Sequence, residues 1–401
     1  MIVLLVHPHA CGQFLHVARG LVARGDTVHF ICRTVSERLD EVHYHLYTDE
    51  VAAVGALLAD DFVQATARGA GVEKVCEQLL QEGIRPDVVI GHGGWGETLY
   101  LKDVFPRAAV VNYLEFYYQL EGADYGFDPE FDPIFVELKR LQSRNATIAM
   151  SALRSDVNLT PTPWQRSVLP KLIGQGTILL HEGINTREAA PNPRASFTLP
   201  GRAGKLTRST PVITYVSRSL EPYRGFPSFM RALPKVLRAR PDAQVVIVGD
   251  EGTSYGAPLP PGSSYKAIML DELRGQLPLE RIHFCGTLPR RDYLRLLQIS
   301  AAHVYLTYPL FLSWSCLEAM ASACILIGSR TGPVTDFVQD GVNGVLVDFF
   351  DIEALSAALI GALRSPATHA RLGTQARATV KTQLDAATVC VPKWLRLIDQ
   401  L

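Results

Sequence analysis

Short apolar strands alternate with helical stretches along almost the whole chain, and this alternation limits the fold more than any other feature. The first half contains the strand-like runs IVLLVH, TVHFIC, DVVIGH, RAAVVNY, ATIAM and GTILLHEGIN, with a helix expected over 14–24. The second half repeats the pattern with VITYVS, AQVVIVG, IHFCG, AHVYLT, ILIGS and GVLVDF, and with a helix over 226–240. Buried strands separated by helices indicate a parallel α/β sheet. The two runs therefore predict two doubly wound, Rossmann-like domains.

A stretch without periodicity separates these two runs. Residues 186–211 are rich in Pro, Gly, Arg and Ser, which is typical of a domain boundary. We expect an N-terminal domain over 1–190, a linker over 191–210 and a C-terminal domain over 211–376. The tail over 377–401 contains Trp394 and further apolar residues, and it reads as a final helix that returns to the first domain.

Charge and hydropathy exclude two classes of function. The formal net charge is −1 and no basic run is long enough to follow a nucleic-acid backbone, so we expect no nucleic-acid partner. No apolar run approaches the roughly 18 residues that span a bilayer, and the start MIVLLV lacks the flanking pattern of a signal peptide. A peripheral membrane contact through Lys139, Arg140 and Arg144 stays open, beside the alternative that these residues form a solvated helix face.

Cysteine and histidine usage predicts a cytoplasmic chain without a metal site. The seven cysteines are scattered, with no C-x-x-C pair and no spacing suited to zinc. The pairs His7 with His9 and His43 with His45 have no carboxylate or thiolate partner nearby in the sequence.

The segment Thr307–Ala321 (TYPLFLSWSCLEAMA) turns a buried strand into a helix that begins at Ser313, Trp314 and Ser315. A helix start presents unpaired N–H groups and the positive end of the helix dipole, which together suit a phosphate. Glu318 lies one turn further on, where a carboxylate accepts hydroxyl hydrogens from a sugar. The alternative is a capping box, in which Glu318 bonds to the backbone at its own helix start.

A second segment with matching chemistry is SRSLEPYRG, over 217–225, which follows the strand VITYV. Arg218 and Arg224 stand six positions apart around a turn, and arginine suits bidentate contact with phosphate. The alternative is a pair of solvated surface arginines. Ligands of parallel α/β sheets lie at the carboxyl ends of the strands, so the two segments together favour a nucleotide-sugar site.

The order of these motifs resembles the retaining glycosyltransferases of the GT-B fold, specifically the family-four group, over essentially the whole chain. The resemblance implies two facing Rossmann-like domains, an acceptor domain first and a nucleotide-sugar donor domain second. It places the diphosphate contacts on Arg218 and Arg224, the ribose contact on Glu318 and a histidine near the donor sugar on His92. It also implies that HEGINT, over 181–186, is a hinge. The other donor-binding positions carried over are Gly12, Gln13, Gly225, Gly286, Thr287, Ser313, Trp314 and Ser315. A turn-capping role for His92 is the alternative.

The chain departs from the family at Leu310, where the family has a first glutamate that contacts the transferred sugar. Further upstream, residues 112–131 are dense in aromatic and acidic side chains, which suits a sugar acceptor. The candidate acceptor contacts are Glu115, Tyr118, Asp124 and Asp128, with Glu130 beside them. The alternative is an ordered loop that packs its aromatics under the first domain.

The expected function is metal-independent transfer of a sugar from a nucleoside diphosphate sugar, a UDP- or GDP-sugar, to an acceptor hydroxyl with retention at the anomeric carbon. We expect a sugar, a lipid-linked molecule or another small molecule as acceptor, and no cofactor. The catalytic candidates are His92, Arg218, Arg224 and Glu318. Leu310 keeps a non-catalytic nucleotide-sugar binder open, and an epimerase is a further alternative. A nicotinamide-dependent dehydrogenase is disfavoured because the first strand and turn lack G-x-G-x-x-G.

Overall fold

The chain divides into two compact units. A computed structural model describes residues 1–49, 60–131, 138–201, 204–256 and 259–401. Unit 1 contains Met1–Gly126, Pro133–Gly183 and Ala386–Leu401, and unit 2 contains Phe127–Asp132 and Ile184–Asp385. Apart from Phe127–Asp132, the chain passes from unit 1 to unit 2 after Gly183 and returns to unit 1 after Asp385. The domain limits expected from composition lie at 190, 210 and 376.

Unit 1 is built on a seven-stranded parallel sheet. Up to Gly183 its elements are β1 (Ile2–Val6), β2 (His9–Ala10), α1 (Leu15–Arg24), β3 (Thr27–Cys32), β4 (Thr34–Val35), β5 (Val42–Leu46), α2 (Asp60–Gln81), β6 (Val88–His92), α3 (Leu101–Val104), β7 (Ala109–Tyr113), α4 (Leu138–Leu153), β8 (Val157–Thr160), α5 (Pro163–Ser167), α6 (Lys171–Gly174) and β9 (Ile178–Leu179). The strand order is β5-β3-β1-β6-β7-β8-β9, and β2 pairs separately with β4. The order reverses direction between β1 and β6, which makes that gap the topological switch point.

Both faces of this sheet are covered, which explains the continuous apolar runs of its central strands. On one face of the sheet, Phe14 and Leu21 pack against Val3 and Leu5 of β1. The C-terminal Trp394 belongs to the same apolar cluster. The other face forms a separate cluster of central-strand residues with residues of α2 and α3, namely Leu4, Val6, Ile31, Val72, Cys76, Leu79, Val89 and Leu101.

The expected strand ATIAM is wrong, because residues 146–150 lie inside helix α4. Ile148 and Ala152, four positions apart, are both buried in one apolar cluster, which is the spacing of a helix face. A short apolar run does not by itself distinguish a buried strand from a buried helix segment. The next strand of the sheet is β8, which begins at Val157, seven residues after Met150, and pairs with β7.

Unit 2 is built on a six-stranded parallel sheet. Its elements are β10 (Ser196–Thr198), β11 (Lys205–Thr207), β12 (Val212–Ser219), α7 (Phe226–Ala239), β13 (Gln244–Asp250), α8 (Tyr265–Glu272), β14 (Ile282–Phe284), α9 (Arg290–Ile299), β15 (Ala302–Tyr305), α10 (Trp314–Ala321), β16 (Leu326–Ser329), α11 (Val334–Phe337), β17 (Val345–Val347), α12 (Ile352–Arg364) and α13 (Pro366–Gln383). The strand order β14-β13-β12-β15-β16-β17 has its switch point between β12 and β15.

The stretch expected as a linker carries secondary structure. Strands β10 and β11 pair antiparallel, with Phe197 opposite Leu206. Phe197 is 2% exposed and joins an apolar cluster with Val212, Val246 and Leu296 of unit 2. This hairpin could not be predicted from composition, because each strand has only three residues and the segment is rich in residues that favour turns.

The chain returns to unit 1 at its C-terminal end, as predicted. Helix α13 ends at Gln383, a π-helical turn spans Ala386–Cys390, and the last helix is α14 (Val391–Ile398). Trp394 is fully buried among residues of unit 1, and its indole Nε1 donates a hydrogen bond to the His181 carbonyl at 3.1 Å.

Within the described parts of the chain, no helix combines the length and the apolarity needed to cross a membrane. Of the basic face considered for peripheral membrane contact, the Lys139 side chain lies outside the described residues. Arg140 and Arg144 both pair with the Asp61 carboxylate, at 2.7 and 3.0 Å. These two arginines are therefore held in ion pairs on α4.

Candidate functional site

Each unit gathers polar side chains at its own switch point. In unit 2, Arg218 lies near the carboxyl end of β12, and Arg224 follows in a 3-10 turn over Pro222–Arg224. Gly225 comes next with φ of 65°, and a Cβ there would approach the Leu306 Cβ to 2.4 Å. A glycine is therefore required where this turn passes the end of β15.

Arg224 is buried rather than solvated. It is 5% exposed, and its Nη1 donates to the Thr307 hydroxyl at 2.9 Å and to the Tyr305 hydroxyl at 3.3 Å. Its guanidinium carbon lies 4.9 Å from the Tyr255 ring centroid and 5.0 Å from that of Phe311. The aromatic rings and the hydroxyls hold a desolvated positive charge in place.

A buried carboxylate, Glu221, lies close to this charge. Its side chain is 0% exposed and accepts hydrogen bonds from the backbone N–H groups of Ser254, Tyr255 and Gly256, at 3.1 to 3.2 Å. Burial raises the pKa of the Glu221 carboxyl, and the three amides and Arg224 oppose that shift. Glu221 thus fixes the loop after β13, which carries one of the rings that stack on Arg224. Glu221 lies in the segment 217–225 but was not predicted as a functional residue, because only the fold brings the loop after β13 to its carboxylate.

The helix start at α10 has fewer unpaired amides than expected. The Ser313 N–H donates to the Tyr305 hydroxyl at 2.8 Å, and the Ser315 N–H donates to the Ser313 side chain at 3.3 Å. The expectation of a bare tip is wrong for these two amides, because side chains of the same unit satisfy them. Tyr305 Oη bonds both Arg224 and Ser313, so the structure does bring the arginine and the helix start together.

Glu318 does not cap its own helix. Its Oε1 lies 2.5 Å from Arg290 Nη1, and its Oε2 accepts a hydrogen bond from the Tyr293 hydroxyl at 2.7 Å. The capping-box alternative is therefore wrong, and the N-cap residue is Ser313. Burial raises the pKa of the Glu318 carboxyl, while Arg290 and Tyr293 act against that shift. Arg290 and Tyr293 were also missed, because they lie on α9 and only the fold brings them to Glu318.

A pocket of about 340 Å³ opens at the carboxyl ends of β12, β13 and β14. Its lining residues are Val216, Ser217, Arg218, Val248, Gly249, Asp250, Thr287, Leu288 and Tyr293. Arg218 is exposed and makes no ion pair within the described parts of the chain. Next to Thr287, the Gly286 carbonyl accepts the Gly249 N–H at 3.0 Å. Arg218 and Thr287 therefore share one cavity, whose wall residue Tyr293 contacts Glu318.

The switch point of unit 1 brings together His7, which follows β1, and His92, which ends β6. The Gly94 N–H donates to His92 Nδ1 at 3.1 Å, which leaves the ring proton on Nε2, 3.4 Å from Glu115 Oε2. Gln13 Nε2 donates to the other Glu115 oxygen at 2.6 Å. His92 therefore caps its turn with one nitrogen, as the alternative predicted, and directs the other at a carboxylate.

His7 completes this cluster and was considered only as a metal ligand. Its Nε2 lies 3.2 Å from Gln13 Oε1, and its pKa is lowered to about 3, first by burial and then by His92. Gly12 has φ of 51°, and a Cβ there would lie 2.6 Å from His7 Cε1. The Trp95 ring stacks on His92 at 4.0 Å. Its position directly after the first strand of a doubly wound unit is a signal by which His7 could have been found.

The acceptor candidates do not form one group. Tyr118 packs its ring against Tyr125 and under the Arg144 guanidinium in unit 1. Asp124 is 1% exposed in unit 1, whereas Asp128 is 6% exposed in unit 2 and accepts the Glu130 N–H at 2.9 Å. Of the four candidates, only Glu115 lies in the His92 cluster.

The aromatic segment of the alternative interpretation divides between the two units. Tyr117 and Tyr118 pack against an apolar cluster of unit 1, as that alternative predicted, whereas Phe127 and the residues after it belong to unit 2. Phe127 contacts the rings of Tyr308, Phe349 and Phe350. Glu130 accepts two hydrogen bonds from Arg231, at 2.6 and 2.7 Å. Leu310, which replaces the family's first glutamate, is 3% exposed and belongs to the buried apolar residues of unit 2.

Two family profiles match most of the chain. Residues 24–189 match the family described as "Glycosyl transferase family 4 group", and residues 202–379 match "Glycosyl transferases group 1". The chain is 27% identical over 247 residues to the GDP-mannose-dependent alpha-(1-6)-phosphatidylinositol monomannoside mannosyltransferase of Mycolicibacterium smegmatis, covering 57% of this chain and 60% of that protein. It is 26% identical to the D-inositol 3-phosphate glycosyltransferase of Mycobacterium sp. (strain KMS), covering 50% of this chain and 43% of that protein. The matches thus span 60% or less of the length of these curated relatives.

Solved structures are similar over the whole chain. Sucrose-phosphate synthase from Thermosynechococcus elongatus superposes with a TM-score of 0.75 at 17% identity, covering 100% of this chain and 98% of that one. Anabaena HepE in complex with UDP and glucose superposes with a TM-score of 0.68 at 14% identity, covering both chains fully. The predicted α/β GT-B fold is thereby confirmed. This chain therefore belongs to the family 4 group of glycosyltransferases, as shown by its two parallel Rossmann-like sheets, the two matching family profiles and its glycosyltransferase relatives.

Proposed function

We propose that this chain transfers a sugar from a nucleoside diphosphate sugar to an acceptor hydroxyl, with retention at the anomeric carbon and without a metal ion. The proposal rests chiefly on the position of Arg218. This guanidinium is exposed at the switch point of unit 2 and lines a pocket large enough for a small molecule. Parallel α/β sheets bind ligands at this place, and arginine is suited to a diphosphate.

The barrier to transfer lies in separating charge between the sugar and its leaving diphosphate. Arg218 would bind the leaving group directly. Arg224 would contribute the field of a preoriented buried charge that costs no reorganisation during the reaction. These two positive charges are our reason for proposing metal-independent transfer. Within the described residues no side chain stands out as a covalent nucleophile, so we propose same-face attack guided by the leaving phosphate.

We assign the handling of sugar hydroxyls to the His92 cluster of unit 1. His92 Nε2 is buried and lies 3.4 Å from Glu115, which is long for a hydrogen bond, so this N–H has capacity for another acceptor. Glu115, with its side chain 19% exposed, would accept a hydrogen bond from a hydroxyl. The GDP-mannose dependence printed for the Mycolicibacterium relative supports a GDP-sugar donor. The names of both curated relatives support a lipid-linked or polyol acceptor, and we propose a cytoplasmic location.

Transfer assays with a panel of donors test the proposal. Purified protein is incubated with GDP-mannose, UDP-glucose and ADP-glucose and with candidate polyol acceptors, and NMR reads the anomeric configuration of the product. We expect turnover with one nucleotide class and a retained configuration. Arg218→Ala should reduce the rate on the order of 10²-fold, since it removes one preorganised contact to the leaving group.

The matched control is Arg274→Ala, since Arg274 is an exposed arginine of unit 2 that pairs with Asp271 away from the pocket. This variant should keep the wild-type rate. Binding of a nucleotide sugar without any turnover would replace the proposal with a non-catalytic binder, and an inverted product would refute retention.

A further inference from the structure

The side chain of Gln13 links two other polar side chains at the switch point of unit 1. Its amide oxygen lies 3.2 Å from His7 Nε2, and its amide nitrogen donates to Glu115 Oε1 at 2.6 Å. An ionised carboxylate only accepts hydrogen bonds, so the amide nitrogen of Gln13 has to face Glu115. The amide oxygen then faces His7, where it accepts a proton from the ring. This arrangement requires that His7 carries its proton on Nε2.

The other ring nitrogen of His7 does not decide the position of the proton. His7 Nδ1 lies 3.0 Å from the backbone nitrogen of His9 and 2.8 Å from the His9 carbonyl oxygen, so these contacts fit either neutral form of the ring. Burial, followed by His92, lowers the pKa of His7 to about 3, and the ring therefore carries a single proton at neutral pH. Glu115, acting through Gln13, selects Nε2 for that proton.

The ring of His7 has a fixed direction. It is 5% exposed, and it meets the rings of Phe14, His92 and Trp95 edge to face at centroid distances of 5.6 to 5.9 Å. A side chain packed by three rings keeps one rotamer. The His7 Nε2–H group is therefore a rigid donor to the Gln13 amide.

Glu115 is oriented by several groups of the same unit. The buried Gln165 side chain donates from Nε2 to the Glu115 carbonyl, which fixes the backbone. Gln13 donates to one carboxylate oxygen, and His92 Nε2 lies 3.4 Å from the other. The Glu115 side chain is 19% exposed, so a ligand can reach a carboxylate that the protein holds in one orientation.

We propose that His7 is a positioning residue for sugar transfer, which holds Glu115 through Gln13 in the orientation that accepts a substrate hydroxyl. This role rests on the proposed function, because it assumes that Glu115 binds a sugar hydroxyl. His7 does not contact the substrate in this arrangement. Without its Nε2–H group the Gln13 amide can rotate, and Glu115 then loses a donor that orients its carboxylate.

NMR of the protein with isotope-labelled histidine tests the position of the proton without any substrate. Proton–nitrogen correlation spectra identify the protonated ring nitrogen, and the signal that disappears in His7→Phe assigns His7. We expect the proton on Nε2 in the wild-type protein at neutral pH. In Gln13→Met, which lacks the amide oxygen, the proton should move to Nδ1, because the His9 carbonyl then remains as its acceptor.

Transfer kinetics with GDP-mannose, UDP-glucose and ADP-glucose as donors test the effect on the reaction. His7→Phe keeps a ring but removes the N–H group, and it should lower kcat/KM about 10- to 100-fold, the range for one hydrogen bond to a charged group. His7→Gln supplies an amide N–H and should restore most of the rate. The matched control His29→Phe removes a histidine of unit 1 that is 6% exposed and bonds His45 outside this cluster, and it should keep the wild-type rate.

A double-mutant cycle separates positioning from a general structural role. In the Glu115→Ala background, His7→Phe should cause no further loss of kcat/KM, because His7 acts on the reaction only through Glu115. A structural role would lower the rate in both backgrounds by the same factor.

A wild-type proton on His7 Nδ1, equal rates of His7→Phe and His7→Gln, or the same loss in both backgrounds each overturns the role of His7 while transfer activity stands. Absence of turnover with all three donors overturns the proposed function, and the inference with it.

Discussion

Arg218 and Arg224 look equivalent in the sequence, yet the structure gives them different environments. Arg218 is exposed at the pocket, whereas Arg224 is 5% exposed, between two aromatic rings and near the buried Glu221. The distinction has a thermodynamic consequence. Loss of an exposed cation is nearly neutral for folding, whereas loss of a buried one leaves its surroundings with an uncompensated charge.

We therefore expect Arg224→Ala to lower the free energy of unfolding by about 3 kcal/mol, because Glu221 would stay buried without its nearby cation. Arg218→Ala should change it by less than about 0.5 kcal/mol, which is typical of surface substitutions. Urea unfolding measures both values. Equal stability of the two variants would show that Arg224 does not have the structural role assigned to it here.

At the scale of single elements, a local contact and a tertiary contact together satisfy the backbone N–H groups at the start of helix α10. The Ser313 side chain caps the helix, as a serine at this position predicts, and Tyr305 from the neighbouring strand accepts the Ser313 N–H. The cap can be predicted from the sequence because it joins Ser313 to an N–H group only two residues later. The Tyr305 contact cannot be predicted in this way, since the path of the loop between β15 and α10 is set by the sheet.

Removing the cap should destabilise unit 2. Ser313→Ala is expected to cost about 1 kcal/mol, whereas Ser313→Asp keeps an acceptor for the Ser315 N–H and should cost less. A shift of the urea midpoint at constant m value measures this. Ser322→Ala is the control at the other end of α10, because the buried Ser322 hydroxyl has no partner within the described residues. A larger loss in that control than in Ser313→Ala would contradict the capping role.

At the scale of the whole molecule, buried histidines in both units make stability depend on pH. The pKa of His7 is lowered to about 3 by burial and His92, and burial lowers that of His303 to about 3. His29 of β3 stacks beside His43 and His45 of the edge strand β5 in unit 1. Burial, followed by His45 and His43, lowers the pKa of His29 to about 4. All three are neutral in the folded protein at pH values where the unfolded chain begins to bind protons.

Because the unfolded chain binds more protons below its histidine pKa of about 6.5, the free energy of unfolding should fall as the pH drops from about 6.5 towards 4. The expected slope is about 1.4 kcal/mol per pH unit for each such histidine. Unfolding titrations at several pH values measure it. His29→Gln should reduce the slope in this window, and a stability that rises on acidification would refute the sign. Paired carboxylates such as Asp61 act at lower pH. Burial raises the pKa of the Asp61 carboxyl, but the hydrogen bonds and charges of Arg140 and Arg144 together outweigh it and lower that pKa.

The sequence by itself determined the strand and helix alternation, the two Rossmann-like units, the family and the positions of Arg218, His92 and Glu318 at strand and helix ends. The alternation and the units follow from periodicity and side-chain chemistry, which act over a few neighbouring residues, and the family follows from the resemblance of the motif order. Only the tertiary structure decided that Arg290 and Tyr293 hold Glu318, that His7 meets Gln13 beside His92, and that residues 146–150 are helical. The physical reason is that strand order in a doubly wound sheet joins residues distant in the chain, and burial then selects which of their polar groups pair.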